Sequence, residues 1–174
     1  MTIGEGRGGD PVDVSSGVFI MTKTDLVLPG VLPVTITRTY RTRTSGIGPF
    51  GQGSSFNYHL YLKLVGSSLS LQMPDANRYL FAQEADGKYR NTDNPHFRGA
   101  AITRFGDGSA ELRWRDGMIY AFNTAGWLIE QRDRHNNRIQ IIRDAAQRIT
   151  EIRDPAGRAL TFTYTTVRRG HDYF

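Results

Sequence analysis

Three groups of residues in this 174-residue chain have types and spacings that could do chemistry. Gly53-Ser54-Ser55 lies just before His59, the neighbourhood a serine nucleophile needs if a histidine is to take its proton. A hydrolase of that kind carries the serine on a tight Gly-x-Ser-x-Gly elbow, and no such pentapeptide occurs. In a strand that begins at Phe56, His59 falls opposite Phe56, Tyr58 and Leu60, an ordinary polar-face position. Glycines at 4, 6 and 9 and at 46, 48 and 51 have the spacing of a phosphate-cradling loop. That spacing works only after a strand and at the start of a helix, whose N-terminus faces the pyrophosphate. The first set has no strand before it, and the second runs through Pro49 and Gly53 into a strand, so no cofactor is expected. The carboxylate pairs Asp10/Asp13 and Asp86/Asp93 could exchange protons, but they sit in polar turns, where Asp caps backbone amides.

Metal and thiol chemistry have less to work with. The chain has no cysteine, which removes disulfides, thiolate nucleophiles and cysteine-ligated metals. His59, His96, His135 and His171 never stand at the i, i+4 spacing of a helical zinc pair. We therefore expect no catalytic, metal-binding or cofactor-binding residue, and no enzyme.

The net charge is +5, and 19 of the 22 basic residues are arginine. Residues 1–97 hold 9 basic and 8 acidic groups, residues 98–174 hold 13 and 9, so the excess lies in the second half. Most arginines stand singly between apolar or threonine positions, as the outward face of strands would require. One alternative gathers Arg132, Arg134, Arg138, Arg143, Arg148, Arg153 and Arg158 into a face for an acidic partner, a sugar polymer or nucleic acid. Nucleic acid is the disfavoured partner, because these arginines form no run and the 19 aromatic residues fall mostly one per strand, as a β core requires.

The elements that must position these residues read as strands. From Val18 the pattern is extended, through Val18 to Met21 and then Leu26 to Leu28, and Pro29-Gly30 closes the segment. Over 34–43, Val34, Ile36 and Tyr40 share one face and threonines the other; Phe56, Tyr58, Leu60, Leu62 and Leu64 repeat the period of two, as one further half-buried strand. From about residue 70 turn signals recur: Asp75-Ala76-Asn77, Asp86-Gly87, Asp107-Gly108, Asp116-Gly117, Ala125-Gly126, Asn136-Asn137, Ala145-Ala146 and Pro155-Ala156-Gly157. Short β-prone runs fill the gaps, which predicts an all-β antiparallel meander of short strands and hairpins. Residues 128–133 align with 149–154, with Glu, Arg and Asp in register, and 137–142 align with 157–162. A repeat of about 20 residues cannot bury its own apolar face and needs neighbours stacked on it. The chain divides into a flexible 1–8, a unit at 9–66, a hairpin meander at 67–124, repeats at 125–165 and a tail at 166–174 that leaves the repeat. No apolar run reaches the roughly 18 residues of a membrane span, and the N-terminus lacks the apolar region of a secretion signal.

The stretch 9–17 with Asp10, Pro11 and Gly17, the stretch 24–30, the stretch 37–41 with Arg38, Tyr40 and Arg41, and the loop 48–53 with Gly48, Gly51 and Gly53 together resemble the conserved domain preceding the repeats of bacterial Rhs proteins. Residues 148–164, with Arg153, Asp154, Gly157, Arg158 and Tyr164, resemble the YD repeat of that family. The resemblance implies the start of a β-shell, or cocoon, that encloses a C-terminal toxin, exported by a specialised machine such as a type VI secretion system in interbacterial competition. It implies that the named residues serve packing and turns, and that the toxin and autoproteolytic residues lie beyond this region. Its partners would be the following repeats or the rest of the same polypeptide, and a secretion-system spike or chaperone. The protein would be made in the bacterial cytoplasm and then exported. Phe56 stands where the family has a tryptophan. After Tyr164 the chain departs from the repeat, so it is expected to be a shell fragment, a cleavage product or a short orphan protein.

Overall fold

The computed structural model describes residues 12–13, 17–42 and 47–165. The first part holds β1 (Val12–Asp13), β2 (Val18–Leu28), β3 (Val34–Arg41), β4 (Ile47–Gly48), β5 (Gly51–Gln52) and β6 (Ser54–Phe56). Strands β1, β2, β3 and β6 form one antiparallel sheet, and β4 and β5 a small hairpin. A second sheet follows, of β7 (Tyr61–Val65), β8 (Ser68–Gln72), β9 (Arg78–Gln83), β10 (Tyr89–Arg90), β11 (Ala101–Arg104), β12 (Ala110–Arg113), β13 (Ile119–Phe122), β14 (Leu128–Arg132), β15 (Arg138–Arg143), β16 (Ile149–Arg153) and β17 (Ala159–Thr161). All eleven lie in sequence order, each antiparallel to the next. A 3-10 turn at Pro95–Phe97 is the sole helical element among the described residues. The fold is the expected all-β meander.

Eight hairpin turns in the large sheet share one geometry. The first residue's carbonyl accepts from the fourth N–H, and its own N–H donates to the fifth carbonyl, as in Gly87–Glu84 and Glu84–Lys88 or Gly157–Asp154 and Asp154–Arg158. The fourth residue is left-handed: Gly87, Gly108, Gly117, Gly126 and Gly157, but also Ala76, Asn136 and Gln147. This is a type I turn closed by a left-handed residue, whose twist suits antiparallel strands. The fifth residue's N–H is always taken by an Asp or Asn side chain. In the first four turns it comes from the third position, Asp75, Asp86, Asp107 and Asp116. In the last four it comes from the first, Asn123, Asp133, Asp144 and Asp154.

The extended run read from Val18 to Leu28 is one continuous strand, and two other expectations about strands are corrected. Phe56 to Leu64 is not one strand: the chain turns at Asn57 and Tyr58, with the His59 N–H donating to the Phe56 carbonyl at 2.8 Å. Asn57 ends the pairing, because its side chain takes the Thr37 N–H and donates to the Thr35 carbonyl, both at 3.0 Å, in place of a strand neighbour. Burial still alternates through Phe56, Tyr58, Leu60 and Leu62, while Leu64 is exposed. Tyr40 is also exposed although Val34 and Ile36 are buried. A register shift in β2 falls between Thr24 and Leu26, and beyond it the buried position of β3 passes to Thr39 while Tyr40 faces out.

One apolar core joins Val34, Ile36, Phe56 and Tyr58 to Leu71, Phe81, Ile102, Leu112, Phe122, Leu128, Ile139 and Ile152 of the large sheet. The large sheet curls to enclose it. Tyr61 of β7 bridges to Trp127, the Leu62 N–H donates to the Gly126 carbonyl at 2.7 Å, and the Leu128 N–H to the Leu60 carbonyl at 3.2 Å. The first strand of the sheet thus meets the start of the eighth. Gly126 permits this approach, since a Cβ there would collide with the Leu62 carbonyl. At the far edge, β17 pairs with β16 on one side only among the described residues.

Candidate functional site

Beside the shared apolar core, arginines that reach backbone carbonyls tie the two sheets together. The Asp154 side chain is 1% exposed and accepts from the Arg158 N–H at 2.8 Å and from its Nε at 2.7 Å. Nη2 of Arg158 then donates to the Pro29 carbonyl in the loop after β2. Burial pushes the Asp154 carboxyl upward, but Arg158 and the backbone amides outweigh it and hold it below the usual range. Asp144 makes the same clasp with Arg148, at 2.9 and 2.7 Å, and Asp133 makes it with Asn137, at 2.9 and 2.8 Å. On the other side of the joint, Nη1 of Arg41 donates to the Asp75 carbonyl at 2.8 Å and to Asn77 Oδ1 at 3.2 Å, tying β3 to the turn between β8 and β9.

Arg143 is the inner tie. Its Nε donates to the Leu128 carbonyl at 2.9 Å, Nη1 to Gln147 at 2.7 Å and Nη2 to Tyr58 at 3.2 Å. Its guanidinium lies 5.0 Å from the centre of the Trp127 ring, a cation–π distance. Burial pulls its pKa down to about 10, so it remains a cation at neutral pH. His59 stacks on Trp127 at 5.3 Å, and its Nδ1 lies 3.0 Å from Ser55 Oγ. Burial, and then the charge of Arg143, pulls His59 down to about 4, which keeps it neutral. Among the described residues no carboxylate hydrogen-bonds to its ring, so Ser55 and His59 lack the third group that orients a catalytic base.

These rings form the floor of a cleft of ≈ 680 Å³, walled by Phe50, Phe56, Ile149 and Tyr164. The Gly48–Gly51 side is set by close backbone packing. A Cβ on Gly48 would collide with the Ser54 carbonyl, and one on Gly53, at φ +72°, would lie 2.5 Å from the Arg41 carbonyl. Gly51 belongs to β5. Arg38 pairs with Asp25 across the β2–β3 hairpin, Nη2 to Oδ1 at 2.9 Å, and sits 5.6 Å from the Phe50 ring centre. That hydrogen bond lowers the Asp25 pKa and raises that of Arg38. Tyr164 donates its hydroxyl to the Ile149 carbonyl at 2.9 Å, with Arg148 5.2 Å from its ring centre. Among the described residues no group of three or more potential metal ligands occurs, and no helix is long and apolar enough to cross a membrane.

Comparison with known proteins places this geometry. Residues 9–81 match the model of a domain of unknown function, DUF6531, which takes in β1 to β8 and much of β9. The chain is 28% identical over 166 residues to "Probable deoxyribonuclease RhsA" of Dickeya dadantii (strain 3937), covering 89% of the chain and 11% of that protein. The corresponding "Probable deoxyribonuclease RhsB" is 27% identical over 173 residues, again 89% and 11%. The chain is related to the Rhs proteins. A third relative, "Double-stranded DNA deaminase toxin A" of Burkholderia cenocepacia (strain H111), is 27% identical over 182 residues, covering 93% of the chain and 12% of that protein. The chain thus spans 11 to 12% of the length of these relatives.

The Rhs-type residues singled out from sequence fall into separate places. Gly48 and Tyr164 line the cleft, Gly53 packs against Arg41, which reaches the turn after β8, Asp154 and Arg158 clasp at the loop after β2, and Gly157 is the left-handed residue of the last turn. Arg38 and Tyr40 lie on the exposed hairpin, Tyr40 edge-on to Phe19 at 6.4 Å. Gly17 precedes β2, and Arg153 pairs with Glu151 on the outer face at 2.6 Å. Asp10 and Pro11 lie outside the described residues. The seven arginines proposed as a basic face do not form one. Arg132, Arg138 and Arg153 are answered by Glu111, Glu130 and Glu151, Arg148 and Arg158 clasp their own turns, and Arg143 points inward. Arg134 alone of the seven sits at an exposed turn without a carboxylate, its Nε 3.2 Å from His135. Sequence reasoning read Gly126 only as a turn residue, not as the point where β7 and β14 meet, and missed Trp127 and the inward turn of Arg143 as parts of the cleft. A register shift between Ile142 and Arg143 redirects that side chain, and nothing in local periodicity announces it.

Proposed function

We propose that this region is a non-enzymatic structural segment of an Rhs-type toxin-delivery protein, forming the first part of a β-shell around a C-terminal toxin. The observation that carries this is the single eleven-stranded meander, which curls until β7 meets β14 while β17 keeps an unpaired edge among the described residues. Such an edge can be extended strand by strand, and the turn geometry is regular enough to continue without limit. The nuclease and deaminase activities in the relatives' names would belong to the parts of those proteins outside the matched 11 to 12%. On this reading the protein is made in the cytoplasm and exported by a specialised system, with a spike or chaperone as partner, and it serves interbacterial competition. Electron cryomicroscopy of a protein carrying this region ahead of further repeats tests the proposal. The expected result is β17 paired with a following strand and the small sheet at one pole of a closed shell. A free-standing bead with β17 open to solvent would overturn it.

A further inference from the structure

Arg143 carries a charge that the described residues leave without a counter-ion. Its three protein acceptors are backbone carbonyls, and no carboxylate pairs with it, whereas its neighbour Arg148 is answered by Asp144 at 2.7 Å. Charges taken out of water are normally paired. A guanidinium has five N–H donors, so one remains on each of Nη1 and Nη2 without an acceptor among the described residues. The side chain lines the ≈ 680 Å³ cleft, whose charged lining residues, Arg143 and Arg148, are both cations. Neutral His59 is the other ionisable ring on the floor, beside Trp127, and the walls are Phe50, Phe56, Ile149 and Tyr164. That volume is typical of a small-ligand site, mostly apolar with a few convergent polar groups.

We propose that this cleft binds a carboxylate carried on an aromatic or aliphatic body, with Arg143 as its counter-ion and the ring walls holding the body. The carboxylate takes the two remaining guanidinium N–H groups, a geometry that planar arginine satisfies and lysine does not. The source is either a small aryl acid or an acidic residue beside an aromatic one in a peptide, since both present the same chemistry.

The test titrates the intact chain, followed by ¹⁵N NMR, with 3-phenylpropionate, with its uncharged amide, and with acetyl-Asp-Phe-amide. At least one of the two acids is expected to shift the Trp127 indole and Arg143 Nε signals saturably and to leave the Trp114 indole unmoved. Tighter binding of the dipeptide assigns a peptide source, and tighter binding of the simple acid a small-molecule one. The 3-phenylpropionamide should bind about tenfold more weakly than 3-phenylpropionate. Arg143→Lys should lose about tenfold in acid affinity. If that variant fails to fold, Phe50→Ala, at the exposed rim, should weaken both acids severalfold. Equal saturable binding of 3-phenylpropionate and its amide, equal shifts at both tryptophans, or no saturable shift with either acid at millimolar concentration would each overturn the proposal.

Discussion

Single side chains here act mainly by satisfying backbone groups, and two of them make sharp predictions. His59 is neutral in the fold, with a pKa of about 4 against an ordinary value of 6.5. Between those values the unfolded chain binds the proton that the folded chain refuses. His59 therefore favours folding fully above about pH 6.5, and that contribution is lost as pH falls toward 4, by up to about 3 kcal/mol. Urea titrations between pH 7 and 4 should show this loss, and His59→Gln should flatten it. The clasp at Asp154 makes a second prediction. Its lowered carboxyl favours folding above the unfolded value near 4 and loses that effect as pH falls through the folded one. Asp154→Ala frees Arg158 from the loop at Pro29 and leaves the Arg158 N–H without its acceptor. It should lower the thermal midpoint by clearly more than Asp107→Ala, whose carboxylate serves only its own exposed turn.

At the level of elements, the hairpin turn sets the strand spacing and the curl of the sheet sets where the strands meet. Gly87 and Gly126 occupy the same turn position, at φ +77° and +85°. Alanine at Gly87 meets nothing within 4 Å, so Gly87→Ala should cost only the left-handed backbone, about 1 kcal/mol. Gly126→Ala adds a collision with the Leu62 carbonyl and should cost about 3 kcal/mol or more, because it separates β7 from β14. Chemical denaturation of the two variants checks the difference. The turns themselves were legible in sequence, since each needs an Asp or Asn to take the fifth N–H and a residue that tolerates positive φ at the fourth place. The break after Phe56 was not, because the period of two continues unbroken through Asn57 while the hydrogen-bond partners change.

Over the whole molecule the charge is +5, but among the described residues the seven arginines of the repeats do not gather into one basic face. The outer face of the large sheet sets Arg132 against Glu111, Arg138 against Glu130 and Arg153 against Glu151, so along β14 to β16 a polyanion meets paired charges. Binding to duplex DNA or heparin at low salt is expected to be undetectable by fluorescence anisotropy. A tight complex that weakens steeply with added salt would identify a phosphate-tracking surface and reverse this expectation. The all-β class, the antiparallel order and the Rhs relationship were determined by the sequence alone, because alternation of side chains and turn chemistry are local properties of the chain. Only the tertiary structure decided which residues make the joint. Arg143 and Trp127 face His59, and Arg158 reaches Pro29, through the curl of the sheet and one register shift. The curl arises from twist accumulated over many strands and the shift from the pairing of β15 with β16, and neither can be read in a short window of sequence.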